Sequence, residues 1–132
     1  MPSEPYNLCH INMFLQDMGF DKFDIQLGDT LTDPKHWDGE SFEAIVSNPP
    51  YSIKWAGKSN PLLIKDERFS PAGVLVPGSK GNLAFTMHMF SWFATDGTAA
   101  IGEFSGVLYR GGAEQKIRNY LIKNDFVDFL KI

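Results

Sequence analysis

A chain of 132 residues holds at most one domain, and with 43% hydrophobic and 14% aromatic residues it can build a packed core, which excludes a disordered chain. The single cysteine, Cys9, excludes an internal disulfide framework and fits a reducing cytoplasm. A net charge of −4 excludes a nucleic-acid binder working by bulk charge, so any basic surface is local or comes from another polypeptide.

Tyr6, Leu8, Ile11, Leu15 and Met18 recur at helical spacing, with Phe14 widening the face, and predict a helix stopped at Gly19. Cys9 and His10 fall within it as packing residues rather than nucleophile or ligand. Phe23, Ile25 and Leu27 alternate onto one face and predict a strand from Asp21 to Leu27, followed at once by Gly28-Asp29-Thr30-Leu31. Read alone, that tetrapeptide is a turn in which Asp29 caps local N–H groups. Thr32 to Ser41, with Pro34, Trp37 and Gly39, is a polar connection.

Ala44, Ile45 and Val46 predict a short buried strand within Phe42–Ser47. It must end at Asn48-Pro49-Pro50-Tyr51, since neither proline can donate to a sheet ladder. Ser52 to about Lys80 is poorly periodic. Its Lys54, Trp55, Lys58, Lys65, Arg68 and Lys80 suit phosphate and base contacts, or else form a solvated surface loop. Leu83, Phe85, Met87, Phe90 and Phe93 predict a broad-faced helix from Asn82 to Ala94, ended by Asp96-Gly97, and Thr98 to Phe104 predicts a strand. Tyr109-Arg110-Gly111-Gly112 leads into a helix through Ala113, Ile117, Tyr120 and Leu121, its glycines permitting close backbone approach to a neighbour or a ligand at the helix start. Arg110 is more readily a structural salt bridge than a phosphate ligand. Glu114 and Lys123 complement the helix dipole, Asn124 caps it, and Phe126 to Ile132 alternates into a last strand.

Strands separated by helices predict an α/β fold with a mostly parallel sheet and helices on its faces. His10, His36 and His88 show no metal-ligand spacing, so no metal is expected. No apolar run reaches membrane-spanning length, and the start does not resemble a signal peptide.

The Asn-Pro-Pro-Tyr turn would sit at the carboxyl end of a strand, where open α/β sheets place ligands. An exocyclic amine on an aromatic base is a poor nucleophile, because its lone pair is delocalised into the ring. The Asn48 side-chain oxygen and a carbonyl of Pro49-Pro50 can accept from both its N–H groups and favour a pyramidal nitrogen. Tyr51 can stack on a base that has left its helix. The same four residues equally describe a proline-stiffened turn with an exposed Tyr.

With GDTL at 28–31, FEAIVSNPPYSIKW at 42–55, DERFSPAGVL at 66–75 and YRGGAEQKIRNYL at 109–121, nearly the whole chain resembles the modification (M) subunit of type I restriction–modification systems. These are adenine-N6 DNA methyltransferases that use S-adenosyl-L-methionine. The resemblance implies part of a Rossmann-like methyltransferase fold, with Asn48, Pro49, Pro50 and Tyr51 as catalytic residues. Asp29 would accept from the amino group of the cofactor's adenine, with Thr30 and Leu31 lining that pocket. Implied partners are double-stranded DNA and the specificity and restriction subunits, in the cytoplasm and away from membranes. The family's glycine loop is expected before residue 1, Glu4 does not fall at its ribose-binding acid, and a further base-pocket aromatic is expected after Ile132. Residues 1–132 are thus expected to be one partial catalytic domain with an exposed sheet edge that favours self-association. Two alternatives stand: an enzyme with this motif acting on protein glutamine or RNA, and an inactive remnant serving only subunit association.

Overall fold

Helix α1, Glu4–Leu15, opens the chain, for which a computed structural model describes residues 4–36, 39–51 and 53–126. These belong to two units, Met1–Gly39 and Glu40–Ile132. In the first unit α1 ends earlier than Gly19. The Met18 N–H donates to the Met13 carbonyl at 3.1 Å around Asp17, whose φ of 56° is left-handed. This turn satisfies carbonyls that the helix end would orphan, and Asp tolerates that conformation better than most residues. The ring of Phe14 packs on Phe20 and Phe23 at 4.4 and 6.0 Å, and His10 packs on Phe23 at 5.5 Å.

The strand predicted over Asp21–Leu27 is not formed. Phe20–Lys22 is a 3-10 turn, and Phe23 is extended (φ −149°, ψ 153°), but no described strand pairs with it. Alternation supplies a face, whereas a strand also requires a ladder partner.

In the second unit, strand β1, Phe42–Ser47, pairs in parallel with β2, Phe93–Ile101, which the long helix-containing connection between them permits. Helices α2, Asn82–Ser91, and α3, Ala113–Lys123, flank this sheet in sequence, giving the predicted α/β class. Register runs from Ala44↔Thr98 to Ser47↔Ile101 and is broken between Phe42 and Ala44. β1 is not the buried strand predicted, for Val46 is 86% exposed and only Ile45 and Ser47 are half-buried. With two strands among the described residues, the sheet leaves much of β1 uncovered.

α2 stops at Ser91 rather than Ala94, and Asp96-Gly97 lies inside β2 rather than ending the helix. The Trp92 carbonyl accepts from Phe42 N–H at 2.7 Å and draws the chain directly into the sheet. Residues 127–132, most of the predicted last strand, lie outside the described residues.

The stretch after Tyr51 is built of 3-10 turns at Gly57–Ser59, Pro61–Lys65 and Ser70–Ala72, and it contributes to the core. Leu63, Phe69, Leu75 and Val76 are buried, as are Leu83 and Met87 of α2 and Ile117 and Leu121 of α3. Trp55 packs on Phe69 at 5.4 Å and donates from Nε1 to the Pro77 carbonyl at 3.3 Å. Asn124 caps α3, its Nδ2 donating to the Tyr120 carbonyl at 2.8 Å.

Candidate active site

Because β1 and β2 run parallel and in register at Ser47↔Ile101, the residues that follow both strands emerge at the same end of the sheet. The Gly102 N–H donates to the Ser47 carbonyl at 2.8 Å, tying the two exits together. Beyond Ser47 the two prolines stop the ladder, leaving Asn48 exposed, Pro49 buried, Pro50 exposed and Tyr51 half exposed at 50%. The Tyr51 hydroxyl donates to Asn48 Oδ1 at 3.1 Å. Gly102 faces that amide, and a Cβ there would lie 3.0 Å from Asn48 Oδ1. The turn thus presents an acceptor oxygen, a ring and a buried proline at the carboxyl ends of parallel strands.

Beside it stands Phe104, which sequence reasoning assigned only to a strand end. Its ring centroid lies 6.3 Å from that of Tyr51 at an interplanar angle of 52°, and it is 39% exposed. The Arg110 guanidinium sits 5.0 Å from the Phe104 centroid and pairs with the buried Glu114 at 3.4 Å, the salt-bridge role favoured from sequence. The pairing of parallel strand ends was the available signal, since whatever follows the second strand must meet whatever follows the first.

Glu103 points its carboxyl toward α2, with Oε1 accepting from the Thr86 hydroxyl at 2.5 Å. Burial pushes this carboxyl above its ordinary range, and the Thr86 hydrogen bond offsets part of that.

The basic segment is not a solvated phosphate-binding loop at Arg68. That side chain is 4% exposed and donates from Nε and Nη2 to the two Asp66 oxygens at 2.9 and 2.7 Å. Asp66 lies two positions earlier in the sequence and neutralises it locally. Burial pushes the Asp66 carboxyl up, but the Arg68 hydrogen bonds outweigh it and hold the pKa below the ordinary value. Arg68 Nη1 lies 3.2 Å from His88 Nδ1, and His88 is pushed down to about 4 by burial and then by the Arg68 charge. His88 is therefore neutral, with Nδ1 accepting from the guanidinium.

Asp29, Thr30 and Leu31 belong to the first unit, whereas the Asn48 turn belongs to the second. Asp29 does not follow a strand. Its Oδ1 accepts from Leu31 N–H at 3.0 Å and its carbonyl accepts from Thr32 and Asp33, forming the local turn that the tetrapeptide alone suggests. Asp29 and Thr30 are exposed and Leu31 is buried. Among the described residues no His/Cys/Asp/Glu cluster could hold a metal ion, and no helix is long and apolar enough to cross a membrane.

Comparison with known proteins gives this geometry a context. The chain is 47% identical to the type I restriction enzyme MpnII methylase subunit of Mycoplasma pneumoniae, over 93% of this chain and 24% of that protein. It is 28% identical to the type I restriction enzyme MjaVII methylase subunit of Methanocaldococcus jannaschii, over 92% of this chain and 21% of that protein. It superposes on the crystal structure of a type I restriction–modification system methyltransferase subunit from Streptococcus thermophilus with a TM-score of 0.86 and 34% identity. That match covers 93% of this chain and 26% of that one, so the chain spans about a quarter of the length of these relatives. The two share a methyltransferase α/β fold over the matched region. The N-6 DNA Methylase family profile matches residues 1–130, and the chain belongs to that family.

Proposed function

We propose that this chain is a catalytic portion of the modification subunit of a type I restriction–modification system, methylating the N6 amine of adenine in double-stranded DNA. The observation that carries the reading is the Asn48-Pro49-Pro50-Tyr51 turn at the carboxyl end of parallel β1, with Asn48 Oδ1 beside an exposed ring. Family membership and the relatives' descriptions support the reaction and the substrate.

In this reading the flipped-out adenine stacks on Tyr51. Asn48 Oδ1 and the Pro49 carbonyl accept from the two N6–H groups, so the nitrogen lone pair is freed from the ring and aimed along one direction. S-adenosyl-L-methionine, when bound, supplies an electrophilic methyl group on a sulfonium. The residues assigned to it suit a donor amine: Asp29 is exposed, and carboxyl oxygens can accept hydrogen bonds besides that from Leu31 N–H. Thr30 extends that surface, and buried Leu31 supports the turn. Residues 1–132 then act as one part of a catalytic domain, in the cytoplasm. The net charge of −4 suits a subunit that leaves most phosphate contacts to a separate specificity subunit and acts alongside a restriction subunit.

The test grafts residues 1–132 in place of the matching quarter of the 47%-identical Mycoplasma methylase subunit, assembled with its partners. N6-methyladenine should appear in DNA digests, and Asn48→Ala should remove it while leaving cofactor affinity within a few-fold. Undiminished methylation by the Asn48→Ala graft would refute the assignment.

A further inference from the structure

The turn at Asn48 is fastened on both sides. Before it, the Ser47 carbonyl accepts from Gly102 N–H at 2.8 Å. After it, the carbonyl of Ile53, two positions beyond Tyr51, accepts from Gly81 N–H at 3.0 Å. Gly81 heads α2, its own carbonyl accepting from Ala84 N–H at 3.0 Å, and Leu83, Ala84 and Met87 of that helix are buried. The turn is therefore suspended between the exit of β2 and the start of a packed helix.

Trp55 secures the second attachment. Its backbone N–H donates to the Gly78 carbonyl at 2.9 Å, and its indole Nε1 donates to the Pro77 carbonyl at 3.3 Å. Its ring packs at 5.4 Å on Phe69, which is 2% exposed, so the attachment reaches into the core. The two limbs, Ile53–Trp55 and Pro77–Gly81, lie too close for side chains between them. A Cβ at Gly81 would fall 2.8 Å from Ile53 Cγ2, and one at Gly78 would fall 3.1 Å from the Trp55 carbonyl oxygen. A long segment following a strand is ordinarily free to move, but this one is shut at its base.

That closure bears on the half of the turn that proline does not stiffen. Pro49 and Pro50 fix their own φ, whereas the chain after Pro50 has no such restraint and stands where its attachments hold it. A group that must meet a reacting atom has to be held to within about 0.5 Å. We propose that Trp55 is a positioning residue for the proposed methyl transfer. By locking Ile53–Trp55 onto Pro77–Gly81 it sets where Tyr51 stands and, through the Tyr51 hydroxyl on Asn48 Oδ1, how that amide presents its oxygen. The inference rests on the reading of Asn48 and Tyr51 as the turn that receives the substrate amine. Trp55 itself acts through Tyr51.

The test is a double-mutant cycle in the grafted methylase, read as kcat for N6-methyladenine formation. A misplacement of about 1 Å costs up to 100-fold, so Trp55→Leu should lower kcat roughly 10- to 100-fold, with KM for DNA changed only a few-fold. Trp55→Phe keeps the ring on Phe69 and should recover most of that loss. In a Tyr51→Ala background, Trp55→Leu should cost less than about threefold, because the residue it positions is gone. Simple loss of folded protein would lower both backgrounds by the same factor. Equal losses in the two backgrounds, or an unchanged kcat for Trp55→Leu, would overturn the positioning role while an inactive Asn48→Ala graft keeps the reading of the turn. Full methylation by Asn48→Ala, or none by the wild-type graft, would remove both.

Discussion

The phenolic hydroxyl of Tyr51 donates to Oδ1 of Asn48 across 3.1 Å, so the ring proposed to stack on the substrate also orients the amide proposed to receive it. An amide oxygen has two lone pairs, and this bond uses one, leaving the other for a substrate N–H. Tyr51→Phe should keep the stacking face and lose the orienting bond. A neutral hydrogen bond is worth about 1 kcal/mol net, so turnover in the grafted methylase should fall less than about tenfold. Tyr51→Ala, which loses both, should fall further. Equal losses for the two variants, read as initial rates of N6-methyladenine formation, would assign the effect to the hydroxyl rather than to the ring.

The buried contact between Arg68 and His88 makes the fold acid-sensitive in a definite window. His88 carries a pKa of about 4 against an ordinary 6.5, because burial and the adjacent guanidinium disfavour its charged form. Above the ordinary value both folded and unfolded chains hold it neutral. As pH falls toward about 4 the unfolded chain takes up a proton that the folded chain refuses, so stability is lost in acid, by at most about 3 kcal/mol from this group. His88→Gln keeps an acceptor for Arg68 and removes the titration. Its urea midpoint should therefore vary less than that of wild type between pH 7 and pH 4.5; parallel curves for the two proteins would count against the assignment.

Much of the candidate site was legible because its determinants are local. Two prolines end a strand wherever it lies, and Phe42–Ser47 and the turn at Asn48 follow from that alone. The amphipathic pattern through Ala113, Ile117 and Leu121 likewise placed α3. What escaped depends on partners distant in sequence. Phe93 continues the apolar spacing of α2, and only the Phe42 N–H bonded to the Trp92 carbonyl makes it the start of β2. Phe23, Ile25 and Leu27 alternate properly but meet no described strand. Arg68 reads as one cation of a basic loop until its bidentate bonds to Asp66 are seen. Phe104 is seen to neighbour Tyr51 only once parallel pairing brings their strand ends together.

Glu103 yields a pH dependence of a different kind from that of His88. Burial raises its pKa, so the stability it contributes is fully present below its ordinary 4.5 and is lost as pH rises through the raised value. The charge left at higher pH sits beside Glu114 and is only partly met by the Thr86 hydroxyl. Glu103→Gln should raise the denaturation midpoint at pH 7.5 and leave it nearly unchanged at pH 4, where the wild-type carboxyl is already largely protonated. The same shift at both pH values would mean that packing, not ionisation, sets the difference.

Adjacent glycines before α3 separate conformational need from spatial need. Gly112 has φ 68° and ψ −132°, a conformation closed to most L side chains, and its carbonyl accepts from Lys116 N–H at 3.2 Å to begin the helix. A Cβ at Gly111 or at Gly112 would meet nothing within 4 Å, so neither is required by close approach to a neighbour within the chain, the first of the two roles expected from sequence. Gly112→Ala should therefore cost about 1–3 kcal/mol, entirely through the backbone. Gly111→Ala has open space and no positive φ to oppose it, and by restricting the unfolded chain it should be neutral or stabilising by up to about 1 kcal/mol. Urea denaturation of the two variants decides the matter. Opposite signs would show that α3 starts on a backbone conformation that only Gly112 supplies, and equal destabilisation would show that the pair acts through packing instead.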